Sequence, residues 1–104
     1  MTLKVETTIK ESVFTIILKG LIDYSTVDEF NSFQVPENVS RIIVSFKEVD
    51  FIDSTGIGSV LTLIHFASDH DIQVEFVDLD DSTRELFETI GVFKVMEALL
   101  KEGR

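Results

Sequence analysis

The sequence predicts a single α/β domain over residues 1–104: a mixed, mostly parallel β-sheet with α-helices packed mainly on one face. Three observations predict it. Two strand-like runs open the chain and are separated only by Lys10-Glu11-Ser12, a link short enough for an antiparallel hairpin. Downstream, helix-like and strand-like segments alternate, giving the order β-β-α-β-α-β-α-α, and such alternation calls for parallel strands joined by crossover helices. The chain of 104 residues is 44% hydrophobic and 27% charged, enough apolar material for one core and too much for a disordered chain.

Each element has its own local cause. Val5, Thr7 and Ile9 alternate with Lys4, Glu6, Thr8 and Lys10, which reads as a strand with one wet face. Val13-Phe14-Thr15-Ile16-Ile17-Leu18 is nearly continuous in β-branched and apolar residues, so it reads as a more buried strand, ended by Gly20. Ser25, followed three residues later by Asp28, resembles a capping box, and Val27, Phe30 and Phe33 supply a helical stripe before Pro36. Arg41–Phe46 reads as a short central strand, with a loop through Lys47-Glu48-Val49-Asp50. Ile57, Val60, Leu61 and Ile64 recur at helical spacing up to residue 67 or 68, and Asp69-His70-Asp71 reads as a turn. Ile72, Val74 and Phe76 mark a fourth strand ending near Val77. Asp80, Asp81 or Ser82 can cap a third helix that carries Leu86, Phe87 and Ile90 and stops at Gly91. Phe93, Met96, Leu99 and Leu100 form a last amphipathic helix. The expected core is Phe14, Ile16, Leu18, Ile43, Val60, Leu61, Ile64, Val74 and Phe76, in a chain with nine phenylalanines and no tryptophan.

Composition narrows function. The net charge is −10, from 19 acidic against 9 basic residues. That argues against general nucleic-acid binding and against docking on anionic lipid, both of which need Lys and Arg. Residues 1–52 carry 8 acids and 5 bases, and residues 53–104 carry 11 and 4, so the second half is the more acidic. A solvated surface explains this, as does a face presented to a basic protein partner. With no cysteine, disulfides, thiol catalysis and thiolate metal sites are excluded. Without a signal-like segment or an apolar run of ~18 residues, the expectation is a cytoplasmic protein with no membrane span.

Few residues offer chemistry. His65 and His70 lack the spacing of a helical metal pair, and Gly56-Ile57-Gly58 lacks the features of a phosphate-binding loop. Asp78, Asp80 and Asp81 suit a helix N-terminus better than a cation. No metal, cofactor or catalytic residue is expected. One segment stands apart, Val49-Asp50-Phe51-Ile52-Asp53-Ser54-Thr55-Gly56-Ile57-Gly58, which sets two adjacent hydroxyls at the start of a helix. Two readings fit it. Asp53 or Ser54 can be a helix cap, with the glycines easing the turn or the packing. Alternatively, Ser54 and Thr55 are phosphoacceptors at a helix N-terminus, where free N–H groups and the helix dipole favour added negative charge.

The run Asp53-Ser54-Thr55-Gly56-Ile57-Gly58, preceded by Val49-Asp50-Phe51-Ile52, resembles the signature of the STAS domain, in particular that of free-standing bacterial anti-sigma factor antagonists. Gly20-Leu21-Ile22-Asp23, Arg41-Ile42-Ile43-Val44 and Leu86-Phe87-Glu88-Thr89-Ile90-Gly91-Val92 extend the likeness over roughly residues 3–100. The usual last strand of that family is missing, because Val92-Phe93-Lys94 runs straight into Val95-Met96-Glu97. The resemblance implies a regulator that is no enzyme. It would bind an anti-sigma factor that is also a serine/threonine kinase, free a sigma factor, and be reset by a phosphatase. It implies phosphorylation at Thr55, with Ser54 the neighbouring hydroxyl, and partner binding through Asp23, Asp53, Ser54, Thr55, Gly56, Ile57 and Gly58. The alternative within the family is a constitutive STAS subunit of a transporter or stress-signalling complex. Oligomeric state is not legible in the sequence.

Overall fold

In a computed structural model the described residues are 2–30 and 34–100. Phe33, expected on the first helix, lies outside them. The elements are β1 (Leu3–Lys10), β2 (Val13–Ile22), α1 (Val27–Phe30), β3 (Arg41–Ile52), α2 (Ser54–Asp69), β4 (Gln73–Val77), α3 (Asp81–Ile90) and α4 (Val92–Leu100). The sheet order is β1-β2-β3-β4. β1 and β2 form the antiparallel hairpin, from Leu3 opposite Gly20 to Lys10 opposite Val13, and β2–β3 and β3–β4 are parallel. The expected fold class and element order are therefore present.

One side of the sheet carries the core. Phe14, Ile16, Leu18 and Ile22 of β2, Ile42, Val44 and Phe46 of β3, and Val74 of β4 are buried on it. They are met by Ile57, Val60, Leu63, Ile64 and Ala67 of α2, Phe87 of α3, and Val92, Met96 and Leu100 of α4. Phe46, Phe76 and Phe87 meet edge-to-face at centroid distances of 5.4–5.8 Å, with Phe93 beside Phe87. These spacings are the favourable arrangement of aromatic quadrupoles.

Several expectations need correction. Ile43 is not in the core. Ile42 and Val44 face the helices, so the pleat turns Ile43 to the open side of the sheet, in register with Thr15 and Glu75. Leu61 and Phe76 are partly buried at the edge of the core, and Leu63 is the leucine that α2 buries. Gly20 does not end β2. The strand continues to Ile22 through a register irregularity, with φ +112° at Gly20, where a Cβ would run into the Thr2 carbonyl oxygen. Lys47–Asp50 is not a loop, because β3 runs unbroken to Ile52 beside the extended β2. One expectation in this region holds: residues 92–95 are helical, and no fifth strand forms there.

Candidate functional site

The long partnership of β2 and β3 delivers two loops to one end of the sheet. Ile22 and Ile52 pair at the last rung, and the Asp53 N–H donates to the Ile22 carbonyl at 3.2 Å. Asp23 and Asp53, 30 positions apart in sequence, thus follow directly on paired residues.

α2 starts at that junction. Asp53 is its N-cap, in extended conformation, and its Oδ1 accepts from the Gly56 N–H at 3.0 Å. The helix is wedged against the strand ends at Gly56. A Cβ there would lie 2.6 Å from the Ile22 carbonyl oxygen and 2.8 Å from side-chain carbons of Ile22 and Ile52. Ile57, 1% exposed, anchors the next position in the core. Gly56 and Ile57, expected among the partner-binding residues, are therefore buried and act by setting the position of the helix. Ser54, Thr55 and Gly58 are exposed.

The Asp23 loop is held from within. Asp23 Oδ1 accepts from the Ser25 N–H at 2.9 Å and from the Ser25 hydroxyl at 2.7 Å. The Thr26 hydroxyl donates to the Leu21 carbonyl at 2.6 Å and accepts from the Asp23 N–H at 3.0 Å, which satisfies a side chain buried beneath the loop. The Ser25 hydroxyl bond, reinforced by backbone N–H donors, holds the Asp23 carboxyl below the usual carboxylate range despite an opposing desolvation effect. The capping-box expectation at Ser25 is thus replaced by an Asp23–Thr26 turn.

Beside Ser54 lies a cleft of about 450 Å³ whose lining includes Asp50, Phe51, Asp53, Asp80, Glu85 and Leu86. None of its carboxylates is in an ion pair among the described residues. Thr55, one residue on, is not part of its lining. Two exposed rings border the same end: Tyr24 is 82% exposed next to Asp23, and Phe51 is 53% exposed. Both were absent from the sequence-derived set, where an isolated aromatic at a strand end carries no periodic signal. Asp80 belongs to structure: it caps α3 by accepting from the Thr83 N–H at 2.7 Å. Among the described residues no group of three His, Cys, Asp or Glu is placed to hold a metal ion, and His70 Nδ1 lies 2.9 Å from the Phe66 carbonyl oxygen.

A family model described as the STAS domain matches residues 4–102. The chain belongs to the STAS domain family. It is 26% identical over 99 residues to the anti-sigma-B factor antagonist of Staphylococcus aureus, covering 92% of each protein. Its fold matches the anti-sigma factor antagonist SpoIIAA in its unphosphorylated form, with TM-score 0.62, 21% identity, and 83% and 81% of the two chains covered. It also matches a sulfate transporter family protein from Wolinella succinogenes, with TM-score 0.75, 13% identity, and 86% and 75% covered. At these identities the structural likenesses speak for the fold. Among the described residues of this STAS domain, no helix is long and apolar enough to cross a membrane.

Proposed function

We propose that this protein is an anti-sigma factor antagonist. Its unmodified form binds an anti-sigma factor that is also a serine/threonine kinase, and binding frees a sigma factor. Phosphorylation of Thr55 ends the interaction, and a phosphatase restores it. On this reading the protein acts in the cytoplasm, as a binding protein rather than an enzyme, with no cofactor and no contact to nucleic acid.

The observation that carries the reading is the Thr55 hydroxyl. It is exposed on the first turn of a helix fixed to the sheet, and it makes no hydrogen bond among the described residues. A kinase can transfer the γ-phosphoryl group of ATP to this oxygen, releasing the hydroxyl proton and ADP, without unfolding the site. Hydrolysis of the ester by the phosphatase returns the hydroxyl and inorganic phosphate. Ser54 is the less favourable acceptor on this reading, because it lines a cleft shared with Asp50, Asp53, Asp80 and Glu85, whose negative charge opposes an added phosphate. The name of the Staphylococcus aureus relative, an anti-sigma-B factor antagonist, supports the antagonist role.

A phosphate adds about 1.5–2 negative charges at neutral pH. Free N–H groups at the helix start offset part of this within the monomer, by up to ~2 kcal/mol, so the fold tolerates it. At an interface the added charge lies on a chain of net charge −10, and a partner group packed on the hydroxyl must move. A loss of about 3–4 kcal/mol corresponds to roughly a hundred- to thousandfold weaker binding. Calorimetry against the anti-sigma factor kinase of the source organism tests this. Thr55→Ala should bind but resist phosphorylation, and Thr55→Glu should bind far more weakly than the unmodified chain. If Thr55→Glu folds and binds as tightly as the unmodified chain, the switch is absent and the constitutive-subunit alternative takes its place.

A further inference from the structure

Of the two glycines in the signature run, only one is required by the fold. Gly56 is wedged against Ile22 and Ile52, whereas a Cβ at Gly58 would meet nothing within 4 Å. Gly58 nevertheless sits inside α2, where glycine destabilises a helix relative to alanine. Its surroundings are equally unusual. From Ser54 through Ser68 the helix carries no Asp, Glu, Lys or Arg, in a chain that is 27% charged. Thr55, Gly58, Thr62 and His65 form one exposed stripe along it at helical spacing.

A second feature flanks that stripe. A groove of about 520 Å³ runs beside it, lined by Phe30, Val35, Ser59, Leu63 and Phe66 among others. Ser59 is only 5% exposed as a residue, and its hydroxyl, which makes no hydrogen bond among the described residues, reaches solvent in the groove. The neighbouring Thr62 hydroxyl, by contrast, donates to the Gly58 carbonyl at 3.0 Å. Carboxylates stand at both ends of the stripe: Asp23 and Asp53 at its start, Asp69 and Asp71 at its finish. None of the four is in an ion pair among the described residues.

We propose that Gly58 is the crossing point at which a helix of the partner protein lies directly on α2. The partner's apolar face enters the groove, where a polar group meets the Ser59 hydroxyl, and its basic side chains approach the carboxylates at the two ends. A missing side chain at the crossing lets two helices approach within the usual ~8–10 Å axial separation. Interfaces are depleted of charge at the centre and polar at the rim, as this face is. An extended segment would instead seek the free edge of a sheet. The inference rests on the proposed binding function and adds the shape and charge of the partner.

Calorimetry with the purified anti-sigma factor kinase of the source organism, combined with thermal unfolding, tests it on the full chain. Gly58→Ala should unfold a few degrees higher than the unmodified chain yet bind about tenfold more weakly. Gly58→Leu should remain folded and bind more than a hundredfold more weakly. Undiminished binding by Gly58→Ala, with raised thermal stability, overturns the crossing point and leaves the proposed function intact. A lowered melting temperature for Gly58→Ala also overturns it, because the glycine would then serve the fold. Absence of binding by the unmodified chain overturns the proposed function and this inference with it.

Discussion

α2 and α3 begin with the same device and are put to different use. Each is capped by an aspartate in extended conformation that accepts from the N–H three residues on: Asp53 from Gly56, and Asp80 from Thr83. There the likeness ends. α2 buries Gly56, Ile57, Ser59, Val60, Leu63, Ile64 and Ala67, so its first turn is clamped to the ends of β2 and β3. α3 buries Phe87 alone, late in the helix, and its first turn stands in solvent with Asp81 added to the cap. α3 follows the usual pattern of a helix start rich in negative charge. α2 leaves its first turn uncharged, offering hydroxyls where the dipole would favour an anion. A cap alone therefore makes a helix start, while a cap on a rigid base also fixes where the exposed hydroxyls of the first turn stand.

The sharpest way to break that contrast is at the clamp. Gly56→Ala places a methyl group against the Ile22 carbonyl and two isoleucine side chains. It should cost about 1–3 kcal/mol, as overpacking in a close-fitting interior does. Urea unfolding checks this, and a change below ~0.5 kcal/mol would mean that α2 is not clamped.

Removing the two caps compares the helices directly. Loss of an N-cap costs about 0.5–2 kcal/mol. Asp53→Ala should fall near the upper end, because it orphans a partly buried N–H, and Asp80→Ala near the lower, because its bond is exposed. Equal urea midpoints for the two variants would show that the base under α2 adds nothing to the cap.

The smallest effect is on pH dependence. The Thr83 backbone N–H lowers the Asp80 carboxyl from its usual value of 3.8. The folded value lies below the unfolded one, so the stabilisation is fully present above pH ~4 and is lost as pH falls through the folded value. Acid also relieves repulsion in a chain of charge −10, so the informative quantity is a difference. The stability of the unmodified chain relative to Asp80→Asn should decline between pH 5 and pH 3. A constant difference across that range would show that the cap does not act through the carboxylate charge.

Much of this arrangement was legible in the residues. The hairpin, the alternation, the Gly91 stop of α3 and a cap at Asp53 or Ser54 and at one of Asp80, Asp81 and Ser82 follow from side-chain chemistry within a few positions, and the structure selects Asp53 and Asp80. What failed were inferences that needed a neighbour strand. Lys47-Glu48 reads as a loop because it is polar, yet it stays in β3, where Glu48 pairs in register with Lys19 and its carboxylate lies 3.8 Å from the Lys19 Nζ. Gly20 reads as a stop, yet the strand passes through it along β3, and glycine is needed there because the Thr2 carbonyl occupies the space of a side chain.

By itself, the sequence determined the element order, the acidic balance and the run that carries the family signature. Those depend on composition and on periodicities of two and 3.6 residues, which act over one or two turns. Only the tertiary structure decided that Ile42 rather than Ile43 is buried. It alone brought Asp23 beside Asp53, and it alone separated Gly56, which the sheet requires, from Gly58, which it does not. Each of these depends on atoms contributed by distant parts of the chain, and local periodicity holds no record of them.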